Sequence, residues 1–285
     1  MDSLDGRGAV VVGGGSGIGR SIAHALAAEG ARVLVGDIDL DSAKTVRDEI
    51  VAAGGEACAG QVDASSSTSL TALANLATST IGHTHVLVHM VGVHADAGVT
   101  TSSEETWAWF IEFHLMSAVR TVNAFLPALR EHHEGGHIVI TASMAGLLAL
   151  PTAATGGTNT GVYTTLKHAV TGYGNTLRHE VASDDIGVSV LCPGGVLTNL
   201  SSTSAANRPA RYGGPAPEPA AAAAMKMLDL DALPPGLITP ERVGPVVVEG
   251  IRKHQSYIFT HPEMRDLLAE AHAQVLCDYP AAATV

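Results

Sequence analysis

Tyr163 and Lys167 stand four residues apart in a stretch with helical apolar spacing, so both side chains leave one face of a helix. A free phenol titrates near about 10. An ammonium group beside it stabilises the phenolate and draws that value down. A phenol so placed takes a proton from an alcohol as hydride leaves the carbon, or returns one to a ketone. Alone, the pair is a common surface coincidence; the chemistry also needs a bound hydride carrier. The string Gly13-Gly14-Gly15-Ser16-Gly17-Ile18-Gly19 offers a place for one, between an apolar run and a helical pattern. Backbone without side chains can approach a pyrophosphate there, and the helix start adds free N–H groups and partial positive charge. Contacts are expected from Gly13, Ser16, Gly17, Ile18 and Gly19, although an ordinary strand-to-helix turn is the other reading. Asp37 follows 18 residues beyond Gly19. Its carboxylate can accept from both adenosine ribose hydroxyls and would repel a 2′-phosphate. Neither Ser16 nor Ile38, the next residue along, supplies a cation for that phosphate, so NAD is expected over NADP. A helix-capping role for Asp37 is the alternative, with Asp39 and Asp41 close by as further caps.

Such groups meet only if strand ends and helix starts converge. Apolar runs over 9–12, 32–36, 57–62, 86–89, 137–141, 188–191 and 257–259 read as strands. Helical patterns run between them over about 18–29, 41–53, 66–80, 104–131, 161–181 and 241–253. Pro127 should bend or end the last turns of the fourth helix. The alternation implies an α/β, doubly wound, Rossmann-type fold: a mostly parallel seven-stranded sheet with helices on both faces. One dinucleotide-binding catalytic domain over 1–285 is expected. The proline-rich segment 197–236 is expected to be a substrate lid with one short helix over 220–230, a disordered insertion being the other reading. A C-terminal extension over 261–285 carries a helical pattern in Met264, Leu267, Leu268 and Val275.

Composition narrows the class. The net charge of −12 argues against nucleic acid or an anionic membrane as the main partner. Cys58, Cys192 and Cys277 are scattered and form no CxxC, so neither a disulfide framework nor a thiol metal site is expected. An acidic start and short apolar runs point to a cytoplasmic protein without a membrane span. His83, His85 and His89 surround the fourth strand, and His132, His133 and His137 cluster near a helix end. Neither set has a carboxylate or cysteine at zinc-site spacing, so both read as structural or surface groups and no metal is expected.

With these motifs in this order, the chain resembles the short-chain dehydrogenase/reductase family, in its single-domain branch, from about residue 7 to 259. The family's Gly-xxx-Gly-x-Gly matches Gly13, Gly17 and Gly19, and its acid after the second strand matches Asp37. Its adenine-contacting Asp matches Asp63, with Ala64 beside it, and its Ser after the fifth strand matches Ser143. Its Tyr-xxx-Lys matches Tyr163 and Lys167; its Pro-Gly-x-Val-x-Thr matches Pro193, Gly194, Val196 and Thr198. The resemblance implies that Tyr163 is the general acid/base and that Ser143 hydrogen-bonds the substrate oxygen. Lys167 would bind the nicotinamide ribose and tune Tyr163. Thr198 and the Val196 backbone would hold the carboxamide, with Val91, Gly92, Pro193 and Gly194 also facing the cofactor. It further implies a homo-oligomer, tetramer or dimer, paired through the long helix and the Tyr163 helix, where Ala118, Ala169 and Gly172 would permit close approach.

Four departures stand out. Val12 replaces a threonine before the glycine loop, and His89-Met90-Val91-Gly92 replaces Asn-Asn-Ala-Gly, where His89 can stand in for one lost amide. His114 occupies the place of an asparagine thought to hold a relay water for the lysine; it is either a relay group or a packed helix histidine. The separation of 20 positions between Ser143 and Tyr163 exceeds the family's usual spacing, which puts extra residues in 147–160. The expected reaction is NAD-dependent interconversion of a secondary alcohol and a ketone. Apolar Val91, Val93, Met144, Leu147, Leu148, Leu150, Leu197 and Leu200 suggest a hydrophobic small molecule: cyclic, aromatic or steroid-like. The alternatives are a 3-oxoacyl thioester reductase and a non-catalytic NAD-sensing scaffold on the same fold.

Overall fold

The computed structural model describes residues 1, 3–155, 157–230 and 232–280, so the last positions of the expected extension, 281–285, lie outside the described residues. The sheet strands are β1 (Gly8–Val12), β2 (Arg32–Asp37), β3 (Glu56–Gln61), β4 (Thr84–His89), β5 (Gly136–Thr141) and β6 (Ile186–Cys192). A minor pair, β7 (Gly195–Val196) and β8 (Leu237–Ile238), precedes the seventh sheet strand, β9 (Tyr257–Phe259). The helices are α1 (Gly17–Ala28), α2 (Leu40–Ala52), α3 (Ser67–Thr80), α4 (Glu104–Phe110) and α5 (Ser117–Glu131). They continue as α6 (Gly161–Glu180), α7 (Leu200–Ala206), α8 (Ala220–Met225), α9 (Val243–Arg252) and α10 (Arg265–Cys277).

The sheet order is β3-β2-β1-β4-β5-β6-β9, with every neighbouring pair parallel. The apolar runs are continuous because both faces are covered. Val10, Val12, Leu34, Leu87, Ile138 and Ile140 pack toward α3, α5 and α6. The alternate residues Ala9, Val11, Val33, Val35, Val86, Val88 and Val139 pack toward α1, α2 and α9. Chain order reverses between β1 and β4, which opens a crevice at their carboxyl ends. Among the described residues, no helix is long and apolar enough to cross a membrane.

The expected helix over 104–131 is interrupted: a π-helical stretch, Ile111–Met116, joins α4 to α5. Pro127 does not end it, because buried Phe125 and Leu129 hold the last turns on the core. β3 begins and ends one residue earlier than its apolar pattern suggested. Within 197–236 the helix over 220–230 stops at Met225, and an unanticipated helix, α7, packs Ser204 and Ala205 inward. Met264, Leu268 and Ala271 pack on the core, whereas Leu267, Val275 and Leu276 of α10 are exposed.

Candidate active site

The glycine loop leaves the carboxyl end of β1 and enters α1, where Ser16 is the N-cap and makes no side-chain cap bond. A Cβ on Gly19 would lie 2.0 Å from the Gly13 carbonyl oxygen, so the turn closes only around glycine. Gly17 has φ +52°, and a Cβ there would lie 3.4 Å from the Thr198 side chain. The loop thus reaches the segment after β6, as the spacing in sequence could not show. Asp39 caps α2 by accepting from the Asp41 and Ser42 N–H groups. Capping is therefore not the task of Asp37, which accepts from Gly15 N–H at 2.8 Å and Asp39 N–H at 3.1 Å. Burial raises the Asp37 carboxyl pKa against these bonds. Ile38 beside it is exposed. Asp63 shapes the turn after β3, where Oδ1 accepts from Ser65 N–H and O–H, both at 2.8 Å, and Ala64 is buried. Free helix N–H groups, a close-approach backbone and a carboxylate at the end of β2 match the needs of a dinucleotide.

Ser143 leaves β5, and Tyr163 and Lys167 leave one face of α6. The Ser143 hydroxyl lies near enough to the Tyr163 phenol to favour its phenolate. Ser143 Oγ also accepts from Ala145 N–H at 3.1 Å and donates to the Pro193 carbonyl at 3.3 Å. Lys167 is 4% exposed, donates to the Thr141 carbonyl at 2.8 Å, and sits 5.5 Å from the centre of the Tyr163 ring. The expected lowering of the phenol is not what the chain's own field produces. Burial pushes Tyr163 up to about 12, only partly opposed by Ser143, and pushes Lys167 down to about 7. Desolvation opposes both charged forms and is the largest cause of each shift, with Ser143 opposing it at the phenol and Cys192 at the amine.

Gly194 lies against buried His261, which the motif reading missed: its Nδ1 accepts from Gly194 N–H at 3.1 Å and its Nε2 bonds the Gly195 carbonyl at 3.0 Å. This fixes Pro193, Gly194 and the turn toward partly buried Val196. Gly92 leaves room for both His114 and Lys167: a Cβ there would lie 3.2 Å from His114 Nδ1 and 3.7 Å from Lys167 Nζ. His114, on the π-helical stretch, is fully enclosed. Its Nε2 donates to the Val93 carbonyl at 2.8 Å, its Nδ1 has no partner among the described residues, and burial holds it well below its usual pKa.

His89 does not point a replacement amide into the site. Its Nδ1 accepts from Val91 N–H at 3.3 Å and its Nε2 meets the Ser117 hydroxyl at 3.0 Å; burial lowers it to about 3. Of the apolar residues expected around a substrate, Met144, Leu148 and Val93 belong to the packed core, because their loops fold inward. Leu147, Leu150, Leu197 and Leu200 remain partly exposed. Ala118 is likewise buried within its own chain and cannot serve a helix-to-helix contact between copies. His94 joins the site without any signal in the sequence: its ring lies 5.3 Å from that of Tyr163.

Away from the site, the two histidine groups merge. Ligand-type atoms of His85, His132 and Glu134 lie within 4.8 Å of one another, so a carboxylate does accompany them in space. Hydrogen bonds already commit their ring nitrogens. His85 Nδ1 accepts from Gly8 N–H at 3.1 Å, leaving Nε2–H for Glu134 at 3.1 Å. His132 accepts from Glu134 N–H and donates to the Thr84 carbonyl. Arg7 supplies the cation beside Glu134. The cluster is a clasp at the amino ends of the strands.

The family described as short chain dehydrogenase matches residues 7–209. A cyclohexanol dehydrogenase from Acinetobacter sp. (strain SE19) is 35% identical over 67% of this chain and 74% of its own. A D-beta-hydroxybutyrate dehydrogenase from Cupriavidus necator is 31% identical over 86% of this chain and 90% of its own. A crystal structure of a short chain dehydrogenase/reductase from Burkholderia phymatum in complex with NAD superposes with a TM-score of 0.84 at 30% identity, covering 100% of this chain and 99% of that one. Sheet order, glycine turn and sequence likeness agree, and the chain belongs to the short-chain dehydrogenase family.

Proposed function

We propose that this chain is an NAD-dependent oxidoreductase that interconverts a secondary alcohol and a ketone on a hydrophobic small molecule: cyclic, aromatic or steroid-like. The observation that carries this reading is Lys167 standing 5.5 Å from the centre of the Tyr163 ring and bonded to the Thr141 carbonyl at the carboxyl end of β5, from which Ser143 leaves. The partly exposed leucines and a relative named for cyclohexanol support a ring-shaped substrate. Bound NAD supplies the acceptor and donor of hydride. Gly13, Ser16, Gly17, Ile18 and Gly19 hold its pyrophosphate, Asp37 and Ile38 its adenosine ribose, and Asp63 and Ala64 border its adenine. Val91, Gly92, Pro193, Gly194, Val196 and Thr198 border the nicotinamide half.

Tyr163, like any phenol, holds its proton at neutral pH, and burial strengthens that hold; this is the form that donates to a ketone. In the opposite direction it takes the alcohol's proton, and Lys167 favours that step while it carries its charge, which it does below about pH 7. Ser143 donates to the substrate oxygen as charge develops there. His114 stays neutral and offers its free Nδ1 across the gap at Gly92 as the far end of a relay to Lys167. The segment 197–236 covers the substrate as a lid.

A screen of secondary alcohols with NAD, followed by absorbance of reduced nicotinamide, tests the reading. Tyr163→Phe should lose turnover by at least about 10²-fold, the range for a general acid/base, while NADH binding by fluorescence is retained. Full turnover in Tyr163→Phe rejects the role of the phenol, and full turnover in His114→Leu removes that histidine from the relay.

A further inference from the structure

His94 lies on the loop after β4 and makes contacts in two directions. Its backbone N–H donates to Ser204 Oγ at 2.9 Å, and its Nδ1 lies 3.0 Å from Ser201 Oγ. Both serines belong to α7, three residues apart and so on one face. On its other side the imidazole sits edge-on to the Tyr163 ring, with centroids 5.3 Å apart and planes at 72°. One side chain therefore touches both the phenol and the helix that follows Thr198.

The surroundings hold this ring in register with α6. Asp96 Oδ1 accepts from Asn159 N–H and from its side-chain amide, both at 2.9 Å. Ala97 N–H donates to the Asn159 carbonyl at 2.8 Å, and Val162 N–H donates to the Ala97 carbonyl at 3.0 Å. The loop is thus stitched to the first turn of the helix that carries Tyr163. By contrast, α7 has seven residues and no side-chain cap bond. So short a helix does not persist on its own hydrogen bonds and depends on tertiary anchors. Arg208 provides one, donating to Thr106 Oγ1 at 3.0 Å with its guanidinium 4.5 Å over Trp109. His94 provides the anchor nearest the chemistry.

We propose that His94 is a positioning residue that latches α7 over the site and sets the Tyr163 ring, so that lid closure and alignment of the phenol occur together. This rests on the readings of 197–236 as a lid and Tyr163 as the acid/base. If α7 lifts, both serine bonds are lost, the imidazole is free to turn, and Tyr163 loses one of the two imidazole edges that confine it, His114 supplying the other at 5.3 Å between centroids.

Two substitutions separate the contacts. His94→Asn keeps a polar atom near the place of Nδ1 but removes the ring; His94→Phe keeps a ring and removes the bond to Ser201. A side-chain hydrogen bond of ordinary strength corresponds to about a five-fold change. His94→Phe and Ser201→Ala should each raise KM by about that factor and, because the ring against Tyr163 is no longer fixed, lower kcat as well, and the double variant should be no worse than either. His94→Asn should keep KM and lower kcat. Hydrogen exchange of 200–206, which does not depend on turnover, should speed up by about five-fold in His94→Phe and Ser201→Ala but not in His94→Asn. Unchanged exchange in the first two, or effects of the two that multiply, overturns the latch. Faster exchange in a protein that turns over no alcohol keeps the latch and rejects the reaction assigned above.

Discussion

Replacing Lys167 with methionine should destroy turnover and yet stabilise the fold. Lys167 is 4% exposed, and burial lowers its pKa from 10.5 to about 7, with Cys192 opposing weakly. Each tenfold change in proton affinity corresponds to about 1.4 kcal/mol, so holding the charged form at or below pH 7 costs the folded state up to about 5 kcal/mol. Methionine carries no charge and has similar reach. It forfeits the bond to the Thr141 carbonyl, worth about 1 kcal/mol, which leaves an expected gain of about 4 kcal/mol at pH 6.5. The pH dependence separates this cause from better packing. Between 7 and 10.5 the folded enzyme has released the Lys167 proton while the unfolded chain still holds it, so parent stability rises with pH across that window. The variant lacks this contribution, and its advantage should shrink to about 1 kcal/mol by pH 9. Urea unfolding followed by Trp107 and Trp109 fluorescence at pH 6.5 and 9 measures both numbers. A variant less stable than the parent at pH 6.5, or an advantage that does not shrink, would refute the reasoning.

Two further outcomes follow from the same structure. His89 and His137 are buried with pKa values near 3, so the unfolded chain takes up their protons first as pH falls, and stability is lost between 6.5 and 3. At pH 5 the pair should account for a loss of about 4 kcal/mol relative to pH 7, and His137→Gln, which can keep the bond to Ser189, should recover about half; equal acid sensitivity in that variant rejects the assignment. Asp37→Asn retains an acceptor for Gly15 N–H but removes the charge facing a 2′-phosphate. Its preference for NAD over NADP in kcat/KM should fall by at least about ten-fold, and an unchanged ratio would remove Asp37 from cofactor selection.

The sheet, its helices and the place of the glycine turn could be read directly from the chain. A strand buried on both faces must be apolar throughout, and a turn pressed against its own carbonyl must be glycine, as at Gly19. Tyr163 and Lys167 share a face because α-helical geometry places them there, whatever surrounds them. Protonation was a different matter. Four-residue spacing suggests an acidified phenol, but loss of water around the partly buried Tyr163 and the buried Lys167 moves the first up and the second down, and burial is a property of the packed whole. The same holds for pairings across long stretches of chain. Histidines 85 and 132 meet through Glu134, His261 steadies Gly194, and His94 joins Ser201 to Tyr163, all between segments with no shared local pattern. Local periodicity reports which face a residue takes on its own element. Only the closed sheet, with its layers packed, decides which distant faces touch and how much water is left between them.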